Sequence, residues 1–474
     1  MENTILIMLI LSILNSVLFY SKALGINVVL FIIPLLIFIV LTLKKNKKIE
    51  NKKGLLLIVP ITLLSCTYFI YDNEFFRGLN LLVIPALLIL MYIYTIKPTY
   101  NLSELFKNFV YLLFEPLNCV GKLYNIVKLK VDSTLNLSDQ NKRKVKSVLI
   151  VIPIVIIVLI LLSSADMIFN NGLSHLLKVF KNVSIPNLIG RLILMFILFT
   201  YMGAVINYLL FNFKNQKEEG NINLNIDNYT VKVLLTVLNI IYLIFDIIQI
   251  KSLMLHKVAQ SINYAEYARS GFFQLMFISI INLIILLISK QIKEKENKYN
   301  IIMSIIMVAL TLVIIISSFL RMYMYESAYG YTLLRLLVYV TLTTEIMLLV
   351  PTLFYIVNSK VNILKYYMII IITVYTSLCL SPVDYIIANN NINRYYETNK
   401  IDIDYLENYS SDNIPLLIEL HNKTDDINLQ SKIKEYLNGG VYQETKTEGF
   451  QEYNISKNKA HKEIKNFFMN NSIN

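Results

Sequence analysis

The chain is expected to be all-α and to lie in a membrane. The expected architecture is a multi-pass helical bundle of about eleven spans, N-terminus inside, with a small all-α extracytoplasmic domain at the C-terminus. Three observations carry this expectation. Apolar runs of about 20 residues recur along most of the chain, each long enough to cross a hydrocarbon core of about 30 Å. Hydrophobic residues make up 56% and charged residues only 16% of the 474 positions, well short of the roughly 25% charge of a soluble domain. Basic residues between the runs gather on one side of the expected membrane.

The runs read as spans at 4–20, 24–43, 54–71, 80–96, 148–164, 188–212, 231–250, 270–289, 300–319, 332–357 and 363–380. The first, TILIMLILSILNSVLFY, lacks a basic n-region and a small-residue cleavage site, so it reads as a retained span and not as a signal peptide. KKNKKIENKK (44–53), NKRKVK (141–146) and KQIKEKENK (290–298) fall on one side, which the positive-inside rule makes the cytoplasm. Residues 381–474 then lie outside the cell membrane. The net charge is +12, and residues 382–474 hold 10 Lys/Arg against 14 Asp/Glu, which leaves +16 on the rest. That excess implies contact with anionic lipid at the cytoplasmic face of the bilayer. Neither an aromatic-and-basic RNA signature nor a zinc finger is present, so no nucleic-acid partner is expected.

Four units follow: residues 1–97 with four spans, 98–147 as a cytoplasmic amphipathic and basic segment, 148–380 as a seven-span core, and 381–474 as the outer helical domain. LSELFKNFVYLLFEPLNCVGKLYNIVKLKV and MIFNNGLSHLLKVFKNV mix apolar and Lys positions, and are expected to lie flat in the inner and outer interfaces. In the tail, Ser411 or Asp412 is placed to cap a helix with Pro415 in its first turn, and Gly439 to end the next one. SKNKAHKEIKNFFMNN is a third candidate helix.

Most catalytic signatures are absent. The 13 glycines form no phosphate-binding loop, and neither G-x-S-x-G nor H-E-x-x-H occurs. The 3 cysteines and 4 histidines are scattered, so no disulfide framework, metal site or cofactor is expected.

What remains is a set of ionisable residues at one level, the outer rim of the bundle: Asp166, Arg191, Asp246, Glu266, Arg269, Arg321, Glu326 and Arg335, with Tyr325 among them. Charges at the edge of a span need a partner or a role. Asn239, Tyr242, Asp246 and Gln249 are spaced three, four and three apart and form one polar stripe on a helix. In RMYMYESAYGYTLLR, Tyr329-Gly330 reads as a helix stop and Thr332 as the next cap, which brings Arg321, Tyr325 and Glu326 towards Arg335. Glu345 lies about 15 Å further along and near the bilayer midplane, where it raises proton coupling. Two readings of the rim stay open: an ion-pair network tying spans together, or a pocket in which Arg anchors an anionic or polyhydroxylated ligand between Tyr walls. YDNEFF offers Asp72 and Glu74, two carboxylates read as belonging to a solvated outer loop.

YAEYARSGFFQL, SSADMIF, RMYMYESAYGYTLLR, DIDYLENYSSDNIPLLIEL and FQEYNISKNKA together resemble bacterial polytopic membrane proteins grouped as domain of unknown function 4173, related to group 4153. The resemblance runs from about residue 145 to about residue 465, and the first four spans add little to it. It implies an integral membrane protein and brings no catalytic residues with it. Phe450 stands where the resemblance implies a Trp.

The expected function is a non-enzymatic envelope protein that binds or senses a ligand or partner at its outer face. The alternative is a secondary transporter, or a polytopic transferase acting on a lipid-linked substrate at that face.

Overall fold

The structure is a computed structural model and describes residues 2–96, 105, 107–110, 185–207, 228–254, 271–290, 298–407, 409–447 and 449–471. The expected span at 148–164, nearly all of the two interfacial segments, and Asp166, Glu266 and Arg269 lie outside the described residues. Among the described residues every regular element is helical. The long helices are α1 (Glu2–Phe19), α2 (Ile26–Lys45), α3 (Ile58–Ile70), α4 (Glu74–Ile96), α5 (Ile185–Asn207), α6 (Asn228–Met254), α7 (Phe272–Ser289), α8 (Lys298–Tyr329), α9 (Leu333–Val357), α10 (Ile363–Cys379) and α11 (Val383–Thr398). Shorter tail helices follow: α12 (Ile403–Glu407), α13 (Ile414–Lys423), α14 (Ile427–Asn438), α15 (Val441–Glu444) and the longer α16 (Ile455–Asn471).

Among the described residues, 7 helices are long and apolar enough to cross a membrane, or 8 if the bent pair α10–α11 counts as one. The chain is a multi-pass membrane protein. The pair bends by 62° at Ser381-Pro382, where proline supplies no N–H to continue the ladder of α10. In α1 and α5 the apolar stretches are shorter, Leu6–Phe19 and Gly190–Tyr201.

Burial on these helices is inverted relative to a soluble protein. On α6 the polar stripe is inside, with Asn239, Asp246 and Gln249 at 6%, 3% and 6% exposure, while Ile240, Leu243, Ile244, Ile247 and Ile248 face outward. Lipid tails welcome the aliphatic face and cannot hydrogen-bond the polar one, so the stripe must pack on protein.

Two packed groups of spans result. In one, α6, α7, α8 and α9 share a core built on Leu286, Met307, Ile315, Met322 and Leu342. In the other, Ile61, Leu64, Tyr68 and Met91 of α3 and α4 pack with α2, α10 and the start of α11. The tail helices α11–α16 close over a third core that includes Leu406, Leu417, Leu420, Ile433, Leu437 and Ile464.

Tail capping differs by one residue from the sequence expectation. Ser410 caps a single 3-10 turn, Ser411–Asn413, and α13 begins directly after it with Pro415 in its first turn. Gly439 ends α14 as expected, and it does so without a left-handed φ (−71°).

Candidate functional site

The turn between α8 and α9 is built by Gly330 and Thr332. Gly330 has φ +83°, a conformation that costs a β-carbon dearly, and the Thr332 side chain accepts from Arg335 N–H at 3.4 Å. The turn sets Arg335 beside the end of α8, where its guanidinium lies 4.2 Å from the centre of the Tyr325 ring and donates to the Gly330 carbonyl. Glu326, 6% exposed, has Arg335, Tyr331 and Tyr339 as its electrostatic neighbours. One turn deeper, Arg321 donates to Gln249 Oε1 at 2.9 Å, and Ser317 donates to the same oxygen at 3.2 Å. Gly271 starts α7 with φ +96°, and a β-carbon there would stand 2.9 Å from Arg321 Nη1.

The structure therefore brings Arg321, Tyr325, Glu326 and Arg335 together with Gln249 at one end of α6, α8 and α9. It sets Arg191 elsewhere, 5.6 Å from the Tyr20 ring at the end of α1. Arg321 and Arg335, 6% and 9% exposed, each donate to a protein group, Arg321 to Gln249 and Arg335 to the Gly330 carbonyl.

Below the rim a chain of polar contacts runs through the bundle. Thr236 pairs with Tyr299 at 2.7 Å, and Asn239 donates to the Met303 carbonyl at 2.9 Å. Tyr242 donates to Asn282 Oδ1 at 2.8 Å, and Asn282 donates to Thr311 at 3.0 Å. The rising numbers make α6 and α8 parallel, with α7 antiparallel to both. Ser279 on α7 contacts Glu345 Oε2 on α9 at 2.5 Å. Two carboxyl groups are incompletely matched: neither Asp246 oxygen and not Glu345 Oε1 has a hydrogen-bond partner among the described residues. Both residues are 3% exposed.

A third polar region joins the tail to the spans, and the sequence did not reveal it. Asp72 is not a solvated loop residue. It is 7% exposed, pairs with Arg77, and lies 3.5 Å from Lys457 Nζ. Ser411 donates to it at 2.9 Å, and its own N–H points to Asp412 at 3.3 Å. Asn73 donates to Asp384 at 2.7 Å, and Ser410 bridges Asp384 and Asp412. Asn454 donates to the Tyr68 and Tyr71 carbonyls at 2.9 and 2.8 Å. Ile26 N–H reaches the Tyr453 carbonyl at 3.1 Å, and Lys22 lies 3.3 Å from Glu452. Burial holds the Asp412 carboxyl above the usual aspartate range, and hydrogen bonds from the Asp72 N–H and Ser410 partly offset this. Glu74 is exposed at the start of α4. Among the described residues no three His, Cys, Asp or Glu side chains are arranged to hold a metal ion.

Comparison with known proteins gives one match. A family model described as "Domain of unknown function (DUF4153)" covers residues 58–420. The match begins in α3 and not near residue 145, so the third and fourth spans belong to the shared region, and it ends inside α13. No curated protein and no solved structure matches the chain.

Proposed function

The chain belongs to the domain of unknown function 4153 family, and we propose that it is an envelope protein whose C-terminal helices bind or sense at the outer face and act on the spans. Within the family we infer a kinship with the related group 4173, from the YAEYAR, RMYMYE and DIDYLENY segments. We place the chain in the cell membrane with about eleven spans, the basic loops in the cytoplasm and residues 381–474 outside.

One observation carries the reading. The tail helices meet the α3–α4 turn and the α1–α2 loop through ionisable and amide groups, Asp72, Arg77, Asp384, Asp412, Lys457 and Asn454, several of them nearly buried. A seam of buried charges and hydrogen bonds holds only while its partners stay in place, since stranding one buried charge typically costs about 3–5 kcal/mol. A ligand or partner that perturbs the tail therefore has a direct mechanical route to α2, α3 and α4. Arg321 and Arg335 at the rim are buried and donate to Gln249 and to the Gly330 carbonyl, which supports an internal role for that cluster and a binding role for the tail.

Complementation tests this. A deletion strain is grown under a panel of envelope stresses and supplied with the parent chain, a chain ending at residue 399, or Asp72→Asn. The reading expects the shortened chain to reach the membrane and fail to complement, with Asp72→Asn partly impaired. Full complementation by the shortened chain rejects it. The transporter alternative predicts failure of Glu345→Gln alone.

A further inference from the structure

The geometry points to a proton-binding site inside the α6–α9 bundle, formed by Glu345 with Ser279 and completed by Asp246. It stands independently of the tail-centred reading, since it uses no residue of the tail.

Hydrogen counting at Ser279 comes first. Its Oγ lies 2.7 Å from the Met276 carbonyl oxygen and 2.5 Å from Glu345 Oε2. A serine hydroxyl has one hydrogen, and a carbonyl oxygen has none to give. Both contacts are filled when the hydroxyl donates to Met276 and the carboxylic acid O–H of Glu345 donates to Ser279 Oγ. An ionised Glu345 would leave one contact without a hydrogen, and it would hold a buried charge whose Oε1 has no partner. Such a charge near the centre of a bundle is among the costliest placements available to a side chain.

Asp246 stands at the same level. The Tyr242–Asn282 hydrogen bond sets α6 against α7. From there Asp246 lies four residues along α6, about 6 Å, and Ser279 lies three residues back along antiparallel α7, about 4.5 Å in the same direction. Two carboxyl groups, each 3% exposed, thus share one cross-section of the bundle. Neither Asp246 oxygen has a donor among the described residues. Among the described residues, the ionisable groups on the packed elements include Tyr242 on α6, Arg321 and Glu326 near the end of α8, Arg335 and Tyr339 on α9, and Tyr367 on α10. Arg335 is ten residues from Glu345, about 15 Å, too far to neutralise it. The described part of α7 contributes none before Lys290.

The ligand of this site is the proton itself. Protonated, both carboxyl groups are neutral and the bundle closes dry. Each proton released leaves a carboxylate, and the charge must then be met by water or a cation admitted between the helices. Proton occupancy is thereby tied to the packing of α6–α9.

Infrared spectroscopy of the full chain in lipid vesicles at neutral pH reads the site directly, through the carboxylic acid C=O band. The parent is expected to show the band. Glu345→Gln, which keeps an amide to pair with Ser279, and Asp246→Asn should each lower it by about half, and the double variant should remove it. Ser279→Ala should shift the Glu345 component by deleting its hydrogen bond, which a merely structural glutamate exposed to water would not show. A parent band no stronger than that of the double variant overturns the proposal, as does a band that Glu345→Gln leaves undiminished.

Discussion

Asn391 on α11 pairs with the backbone of Tyr331 in both directions: its Oδ1 accepts the Tyr331 N–H at 2.9 Å, and its Nδ2 donates to the Tyr331 carbonyl at 2.9 Å. One side chain thus satisfies two backbone groups freed by the left-handed Gly330 at the α8–α9 turn. Arg394, one turn on, donates to the Ala328 carbonyl at 2.7 Å. The turn that aligns Arg335 with Tyr325 is therefore held from outside by α11.

Asn391→Ala removes both hydrogen bonds and leaves a partly buried N–H and C=O to find other partners. Each such loss costs about 1–3 kcal/mol. The expected outcome is destabilisation of about 2–4 kcal/mol in an SDS titration of the chain in mixed micelles. Asn391→Asp should recover part of it, because Oδ1 can still accept. A transition unchanged in the alanine variant means that the clamp contributes nothing.

Glu326 and Arg335 give a sharper test, because their coupling is measurable as a cycle. Both are buried, at 6% and 9% exposure, and Arg335 is one of the charges that act on Glu326, so replacing either by glutamine removes a favourable electrostatic neighbour from the other. Replacing both should be markedly less damaging than the sum of the single changes, by about 1–3 kcal/mol. Strict additivity would sink the view that the two charges of the rim act on each other.

What the sequence made legible here was local. The α6 stripe of Asn239, Asp246 and Gln249 is a matter of helical period, and Gly330 and Thr332 are neighbours in the chain, so their roles follow from spacing. Contacts between distant segments left no such trace. Asn73 meets Asp384 across 311 positions and Asn454 meets Tyr68 across 386, and nothing near either residue advertises the partner. Asp72 was misread for this reason: a carboxylate in a loop is usually solvated, and only the folded chain brings Arg77, Ser411 and Lys457 around it. The bend at Pro382 shows the intermediate case, where the proline marks a break and only packing decides that the helix resumes as α11.

Acidity should strengthen the docking of the tail before it weakens it. Burial raises the Asp412 carboxyl above its ordinary value, so folding favours its protonated form. A group raised in this way contributes stability that is fully present below its unfolded pKa, about 3.9, and is lost as pH rises through the folded value. Ser410 supports the same direction, since its single hydrogen faces both Asp384 and Asp412. Between neutrality and about pH 4 the apparent melting point of the detergent-solubilised chain should therefore gain from this group as pH falls. Asp412→Asn should flatten that gain. A steeper pH dependence in the asparagine variant contradicts the assignment.

The final prediction concerns Asp72, which two accounts of the chain treat differently. A transferase would use its carboxylate in chemistry, so Asp72→Asn would abolish activity and leave the fold intact. The seam instead uses it as the hub between Arg77, Lys457 and Ser411, so the asparagine variant should leave Arg77, itself only partly exposed, without its carboxylate. Hydrogen exchange distinguishes the two. Backbone amides of α16 and of Asn454–Lys457 should exchange faster in Asp72→Asn, by about 10-fold or more for a loss near 1.4 kcal/mol, while amides of α7 and α9 keep their protection. The restricted pattern matters because α16 touches the α3–α4 turn through Asn454 and Lys457 alone among the ties described here. Unchanged exchange in α16 would show that the tail is held by its apolar core, and that the charges of the seam are available for other work.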